Sequence, residues 1–132
     1  MTKRIFSILL AVIIFTVIPL GVSAEATVQP RYTYTAVHSA ALVIKDDVAT
    51  VEGYVDGYSN VTSIRLTLTL QKKVLWWWSD VTEWGKTVQD NYASMSKTES
   101  IGGGTYRVKL VATVYSGSAS ETVEGYSSEK KN

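Results

Sequence analysis

Apolar and polar side chains alternate with period two along most of the chain beyond residue 34. Ile64, Leu66, Leu68 and Leu70 alternate with Arg65, Thr67, Thr69 and Gln71. Tyr106, Val108, Leu110, Ala112 and Val114 alternate with Arg107, Lys109, Val111, Thr113 and Tyr115. Ala49, Val51, Gly53 and Val55 occupy one parity, with Thr50, Glu52, Tyr54 and Asp56 on the other. Successive side chains of a strand point to opposite faces, so this is the pattern of half-buried strands. The abundance of Val, Thr and Tyr agrees with it. Strands are predicted at 36–44, 48–58, 64–71, 92–101, 106–115 and 119–126, with one or two more within 75–88. Lys45-Asp46-Asp47, Tyr58-Ser59-Asn60, Gly102-Gly103-Gly104 and Ser116-Gly117-Ser118 read as turns, and Lys72-Lys73 as a break. Asp80-Val81-Thr82-Glu83 also resembles a capping box that opens a helical turn; extended structure is the preferred reading. About seven strands at this spacing predict an all-β fold, an immunoglobulin-like antiparallel β-sandwich.

The first 24 residues follow a different pattern. Lys3 and Arg4 precede an apolar run from Ile5 to Leu20, which leads into Gly21-Val22-Ser23-Ala24. A charged start, an apolar stretch and a small-x-small site are the parts of a helical secretory signal peptide, with cleavage expected between Ala24 and Glu25. An uncleaved anchor is the alternative, but the run is short for the ~20 residues of a spanning helix. The expected organisation is therefore a signal at 1–24 and one secreted domain at 25–132. Within it, residues 25–34 form an extended lead, where Pro30 limits pairing, and residues 127–132 a frayed tail.

Cleavage changes the charge. It leaves 11 basic residues against 12 acidic ones, a net charge of −1. Such a balance offers no basic field for nucleic acid or an anionic membrane. Both Phe residues also leave, so every remaining aromatic is Trp or Tyr. There is no Cys, hence no disulfide and no thiolate metal site. No cofactor and no stable membrane anchor after cleavage are expected.

Gly104-Thr105-Tyr106-Arg107-Val108 opens the next-to-last strand just after a turn. Immunoglobulin-like sandwiches place a tyrosine corner there, its hydroxyl bonded to upstream backbone; an ordinary strand tyrosine is the plainer reading of Tyr106. Five stretches carry a wider resemblance: Gly57-Tyr58-Ser59, Leu66 to Gln71, Trp77-Trp78-Ser79-Asp80-Val81, Gly103 to Lys109, and Val114 to Ser118. In this order they resemble an uncharacterised family of small secreted proteins from Gram-positive, clostridia-like bacteria. The resemblance implies secretion and a Gram-positive source, and assigns no activity. At the level of fold the chain is also similar to fibronectin type III and immunoglobulin-like modules, which by itself says nothing of function.

Candidate chemistry is sparse. His38 is the only histidine, and no G-x-S-x-G elbow accompanies it. Asp46, Asp47 and Asp56 lack the alternating spacing of a calcium loop. Glu52, Asp56, Glu83, Glu121 and Glu124 could supply a glycosidase pair, but solvated acids are ordinary on outer sheet faces. Gly102-Gly103-Gly104 leads into a strand, whereas phosphate loops lead into a helix. The run Trp76-Trp77-Trp78 is the feature folding explains least. If residues 75–85 are uniformly extended, Trp76, Trp78 and Trp84 share one face and Leu75, Trp77 and Val81 the other. The second set is the more continuous apolar one, so it is assigned inward. Trp76, Trp78 and Trp84 then form a candidate binding surface for protein or glycan, unless loops and the lead, with Tyr32 and Tyr34, cover them. The sequence thus points to a secreted, non-enzymatic domain that acts by surface contact with a protein or with a cell-envelope or host glycan. A toxin-like or antimicrobial factor is the alternative, and a carbohydrate-active hydrolase a distant third.

Overall fold

The computed structural model describes residues 32–132, so the signal sequence, Ala24/Glu25 and most of the extended lead lie outside the described residues. The described chain forms eight strands and no helix. They are β1 (Thr35–Lys45), β2 (Val48–Gly57), β3 (Ser63–Val74), β4 (Trp77–Val88), β5 (Tyr92–Ser100), β6 (Thr105–Ser116), β7 (Ala119–Tyr126) and the short β8 (Lys130–Lys131). One sheet has the order β1-β2-β5. The other has the order β4-β3-β6-β7, with β8 added to β6. All pairings are antiparallel. In immunoglobulin terms β1, β2 and β5 stand as A, B and E, and β3, β6 and β7 as C, F and G. The remaining strand, β4, lies beside β3 on the second sheet.

The alternating positions become the core. Val51, Val55, Ile64, Leu66, Leu68, Leu70, Val108, Leu110, Val114 and Val123 are fully buried. At Gly53 the facing sheet leaves no room for a side chain: a Cβ there would lie 2.5 Å from Leu68 Cδ2 and 3.2 Å from Leu110 Cδ1. Lys45-Asp46-Asp47-Val48 is a tight hairpin in which both Asp residues have positive φ, 53° and 59°. That geometry matches the right-handed twist of the flanking strands. It assigns the Asp pair to a turn, as their spacing had indicated.

Two expectations need correction. Lys72-Lys73 does not break the strand, because β3 runs on to Val74. The C-terminal residues are not frayed either. Strand β6 has twelve residues and β7 only eight, so the start of β6 has a free edge. The tail fills it. Ser127 N–H donates to the Val108 carbonyl, and Val108 N–H donates to Ser127 Oγ. Lys130 and Lys131 pair with Tyr106 and Thr105. Asn132 N–H donates to the Gly104 carbonyl, and its side-chain amide donates to the Gly102 carbonyl and to Asp47.

Tyr106 is 2 % exposed, and its hydroxyl donates to the Gly102 carbonyl at 3.0 Å. The bond reaches back four residues across the β5–β6 crossover, which is the geometry of a tyrosine corner. Gly104, at φ 145°, makes the turn between them, and Lys72 Cε would meet any Cβ placed there.

Tyr106→Phe is expected to lower stability by about 1 kcal/mol through loss of that bond. Deleting residues 127–132 is expected to cost about 1–3 kcal/mol, because it strips partners from the start of β6. Urea denaturation of the three proteins measures both; an unchanged midpoint for the truncated chain would mean the tail contributes nothing.

Candidate functional site

The tryptophan run lies on the β3–β4 hairpin, and one irregularity decides where each ring goes. Leu70 pairs with Thr82, but Gln71 pairs with Asp80. Val81 is therefore an extra residue on β4. Such a bulge shifts the face taken by every residue beyond it. Trp84, opposite Leu68, points inward and packs against the core. Trp78, opposite Lys73, lies on the outer face. Trp76 is in neither strand: Leu75 and Trp76 form the two-residue turn between the paired Val74 and Trp77.

The three rings therefore do not share a face, and the expected inward set is not inward. Leu75 is 71 % exposed, Trp77 46 % and Val81 44 %, while Trp76 reaches 81 %. The reason is length. Leu70 and Tyr106 are the buried apolar residues nearest this end of their strands, and β3 and β4 continue past them. The hairpin projects beyond the core, where alternation no longer has an inside.

The described end of the lead, Tyr32 to Tyr34, lies away from the tip. Tyr34 bonds to Tyr58 beside the β2–β3 loop, at the opposite end of the sandwich. The backbone N–H groups of Thr33, Tyr34 and Thr35 all donate to the Glu121 carboxylate, at 2.8–3.1 Å. Tyr32 meets His38 edge to face at 5.6 Å, and His38 Nε2 bonds to the Glu124 carbonyl. Glu121 and His38 thus clamp the lead to the domain.

Trp78 is held in a stack. The Arg107 guanidinium lies 4.2 Å from the ring centroids of both Trp78 and Tyr126. Arg107 Nε–H donates to Gln71 Oε1, and Gln71 Nε2–H donates to Asp80 Oδ1, each at 2.8 Å. The Tyr126 hydroxyl donates to Glu124 at 2.6 Å, and this carboxylate holds the phenol above its ordinary value of 10.0. Each cation–π contact is worth about 0.5–1 kcal/mol at an exposed site, so the stack binds β4, β6 and β7 together. A ring whose face is occupied in this way is not an open platform.

What remains free is the tip. Val74, Leu75, Trp76 and Trp77 are consecutive, apolar and exposed, with the two indoles edge to face at 5.4 Å. Leu75 has φ 58°, a left-handed conformation that costs a branched apolar residue about 1–2 kcal/mol. Asn-Gly or Asp-Gly would form a two-residue turn without that cost.

A second surface had no clear signal in the sequence. On the outer face of the first sheet, Tyr54 and Tyr92 lie 6.3 Å apart with rings 28° from parallel. They border a cleft of about 510 Å³ that Glu52, Lys86 and Ser94 also line. Lys86 Nζ donates to the Ser94 carbonyl across the gap between β4 and β5. The outward parity of Tyr54 is readable from β2, but its pairing with β5 is not. Among the described residues no group of His, Asp and Glu side chains is arranged to hold a metal ion.

No protein-family profile and no curated protein matches the chain. Remote likenesses exist among solved structures. Wild-type OgpA from Akkermansia muciniphila aligns at a TM-score of 0.44 and 13 % identity, over 80 % of this chain and 32 % of that one. Catalytically inactive OgpA in complex with an O-glycopeptide substrate, glycodrosocin, aligns at 0.40 and 10 %, over 80 % and 33 %. Spo0M, a sporulation control protein from Bacillus subtilis, aligns at 0.32 and 10 %, over 73 % and 48 %. The chain thus spans about a third of the length of OgpA, and no activity follows from likeness this distant.

Trp84→Ala is expected to destabilise the domain by about 2–4 kcal/mol as a large-to-small change against the core. Trp76→Ala should stay within about 0.5 kcal/mol of wild type, as exposed substitutions do. Chemical denaturation of the two variants checks the assignment; the opposite ranking would place the bulge elsewhere.

Proposed function

We propose that the protein is a secreted, non-enzymatic module that acts by contact, with the β3–β4 tip as its anchor on an extracellular surface. The carrying observation is the exposed run Val74-Leu75-Trp76-Trp77. Two large indoles in water and a leucine in a left-handed turn work against solubility and folding alike. A burial that occurs only when the tip meets its target accounts for both. The rest of the domain supplies rigidity. The Trp78–Arg107–Tyr126 stack and the bulge at Val81 fix the base of the hairpin, so little ordering remains to be done on contact.

Three of the five acids that could serve a hydrolase are engaged within the domain. Glu121 holds the lead, Glu124 accepts from Tyr126, and Glu83 accepts from Thr69. The Tyr54–Tyr92 cleft favours a second contact, with a glycan. Aromatic faces carry partial negative charge and attract the polarised C–H groups of a sugar ring. Glu52, Lys86 and Ser94 stand beside them to meet hydroxyls.

Trp76→Ala/Trp77→Ala is expected to keep the wild-type unfolding midpoint and to weaken sedimentation with isolated bacterial envelopes by about tenfold or more, the scale of an anchor residue lost. Envelope binding that is unchanged by this double variant would overturn the role of the tip.

A further inference from the structure

We infer that the surface met by the β3–β4 tip is a lipid bilayer, into whose interfacial layer Leu75, Trp76 and Trp77 insert. The inference rests on the contact reading above and names its target. Three observations favour lipid over protein. First, the tip is convex and only four residues long, Val74 to Trp77. A specific protein interface engages about 20–30 residues on each side, and the neighbouring outer face is polar and tied up by Arg107, Gln71 and Asp80. Second, the side chains are ordered by depth. Leu75 and Trp76 lead, Trp77 follows, and Lys72 and Lys73 stand two to three residues behind. Tyr106 pairs with both Lys72 and Lys130, so Lys130 shares the Lys72 rung, with Lys131 beside it. At about 3.3 Å per residue the lysines sit roughly 7–10 Å from the end of the hairpin. Interfacial segments bury their apolar side by about 5–10 Å. The indoles then lie at the headgroup level where Trp concentrates, and the exposed ammonium groups of Lys130 and Lys131 remain at the phosphates. Third, the strained turn places a leucine, rather than Asn-Gly, at the deepest point.

The charge around the tip sets how electrostatics contribute. Lys73 is partnered by Glu129 at 3.8 Å, and Asp46 and Asp47 lie on the neighbouring β1–β2 turn. Lys130 and Lys131 are exposed. Binding is therefore driven by the apolar tip, and anionic lipid adds a modest increment. This agrees with the near-neutral charge expected of residues 25–132. The tip also falls far short of the ~30 Å hydrocarbon core, so insertion does not open a pore.

The test uses the protein purified from Glu25 to Asn132 with vesicles of phosphatidylcholine alone and of phosphatidylcholine mixed with phosphatidylglycerol. Co-sedimentation with both is expected, stronger with the mixture. Tryptophan emission should shift to the blue and be quenched by lipids brominated on the acyl chain. Trp76→Ala/Trp77→Ala should reduce partition by about tenfold or more and lose the quenching. Lys130→Gln/Lys131→Gln should weaken binding to the mixture and leave binding to pure phosphatidylcholine unchanged. Entrapped dye should be retained throughout. No sedimentation of wild type with either vesicle, or full binding by the tryptophan double variant, overturns the inference. If wild type ignores vesicles while envelope binding still needs Trp76 and Trp77, the partner is a protein or glycan: the lipid assignment falls and the contact reading stands. Envelope binding independent of the tip removes both.

Discussion

The close approach of the two sheets at Gly53 is the constraint on which the rest of the domain depends. Leu68 and Leu110, from the two central strands of the larger sheet, pack into the space a side chain there would fill. Because the sheets meet so closely, every second residue from Ile64 to Leu70 and from Tyr106 to Val114 is removed from water. Burial of such side chains contributes roughly 1.5–3 kcal/mol each before the entropy of ordering is counted. Without a disulfide, this interface is the main source of stability among the described residues, and the edges are organised around it.

Those edges are secured by polar contacts rather than by more core. A single carboxylate, Glu121, receives three consecutive N–H groups from the end of the lead and the first residue of β1. Charge-assisted bonds of this kind are stronger than neutral ones. At the other end the tail completes the unpaired start of β6, and Asn132 joins it to the β1–β2 turn. Tyr106 ties the β5–β6 crossover to the same place. These contacts pair backbone groups of the lead and of the start of β6 that would otherwise lie on open edges.

The β3–β4 hairpin is the exception. It extends past the last buried layer and carries its apolar side chains where nothing among the described residues covers them. Its base is rigid, through the Arg107 stack, and its turn is strained. Local rules of turn chemistry and surface composition are broken together at Leu75 and Trp76. Sequences tend to break such rules where function requires it.

Strand identity and the core were legible in the sequence because alternation reports burial directly. Val51, Leu66, Leu68, Val108 and Leu110 could be read as core from parity alone, and the position of Tyr106 after a glycine turn marked the crossover. The fate of the tryptophans was not legible. Parity carries from residue to residue only while the pairing is regular, and one unpaired residue, Val81, sent Trp84 inward and Trp78 outward. Parity also has no meaning past the end of the core, which left Leu75 and Trp77 in water. The folded tail, the Glu121 clamp and the Tyr54–Tyr92 cleft each join residues distant in the chain. The sequence by itself determined which residues alternate and hence which strands exist. Only the tertiary structure decided which strands are edges, where the core stops and which rings remain exposed, because those depend on how strands of different length are laid against one another.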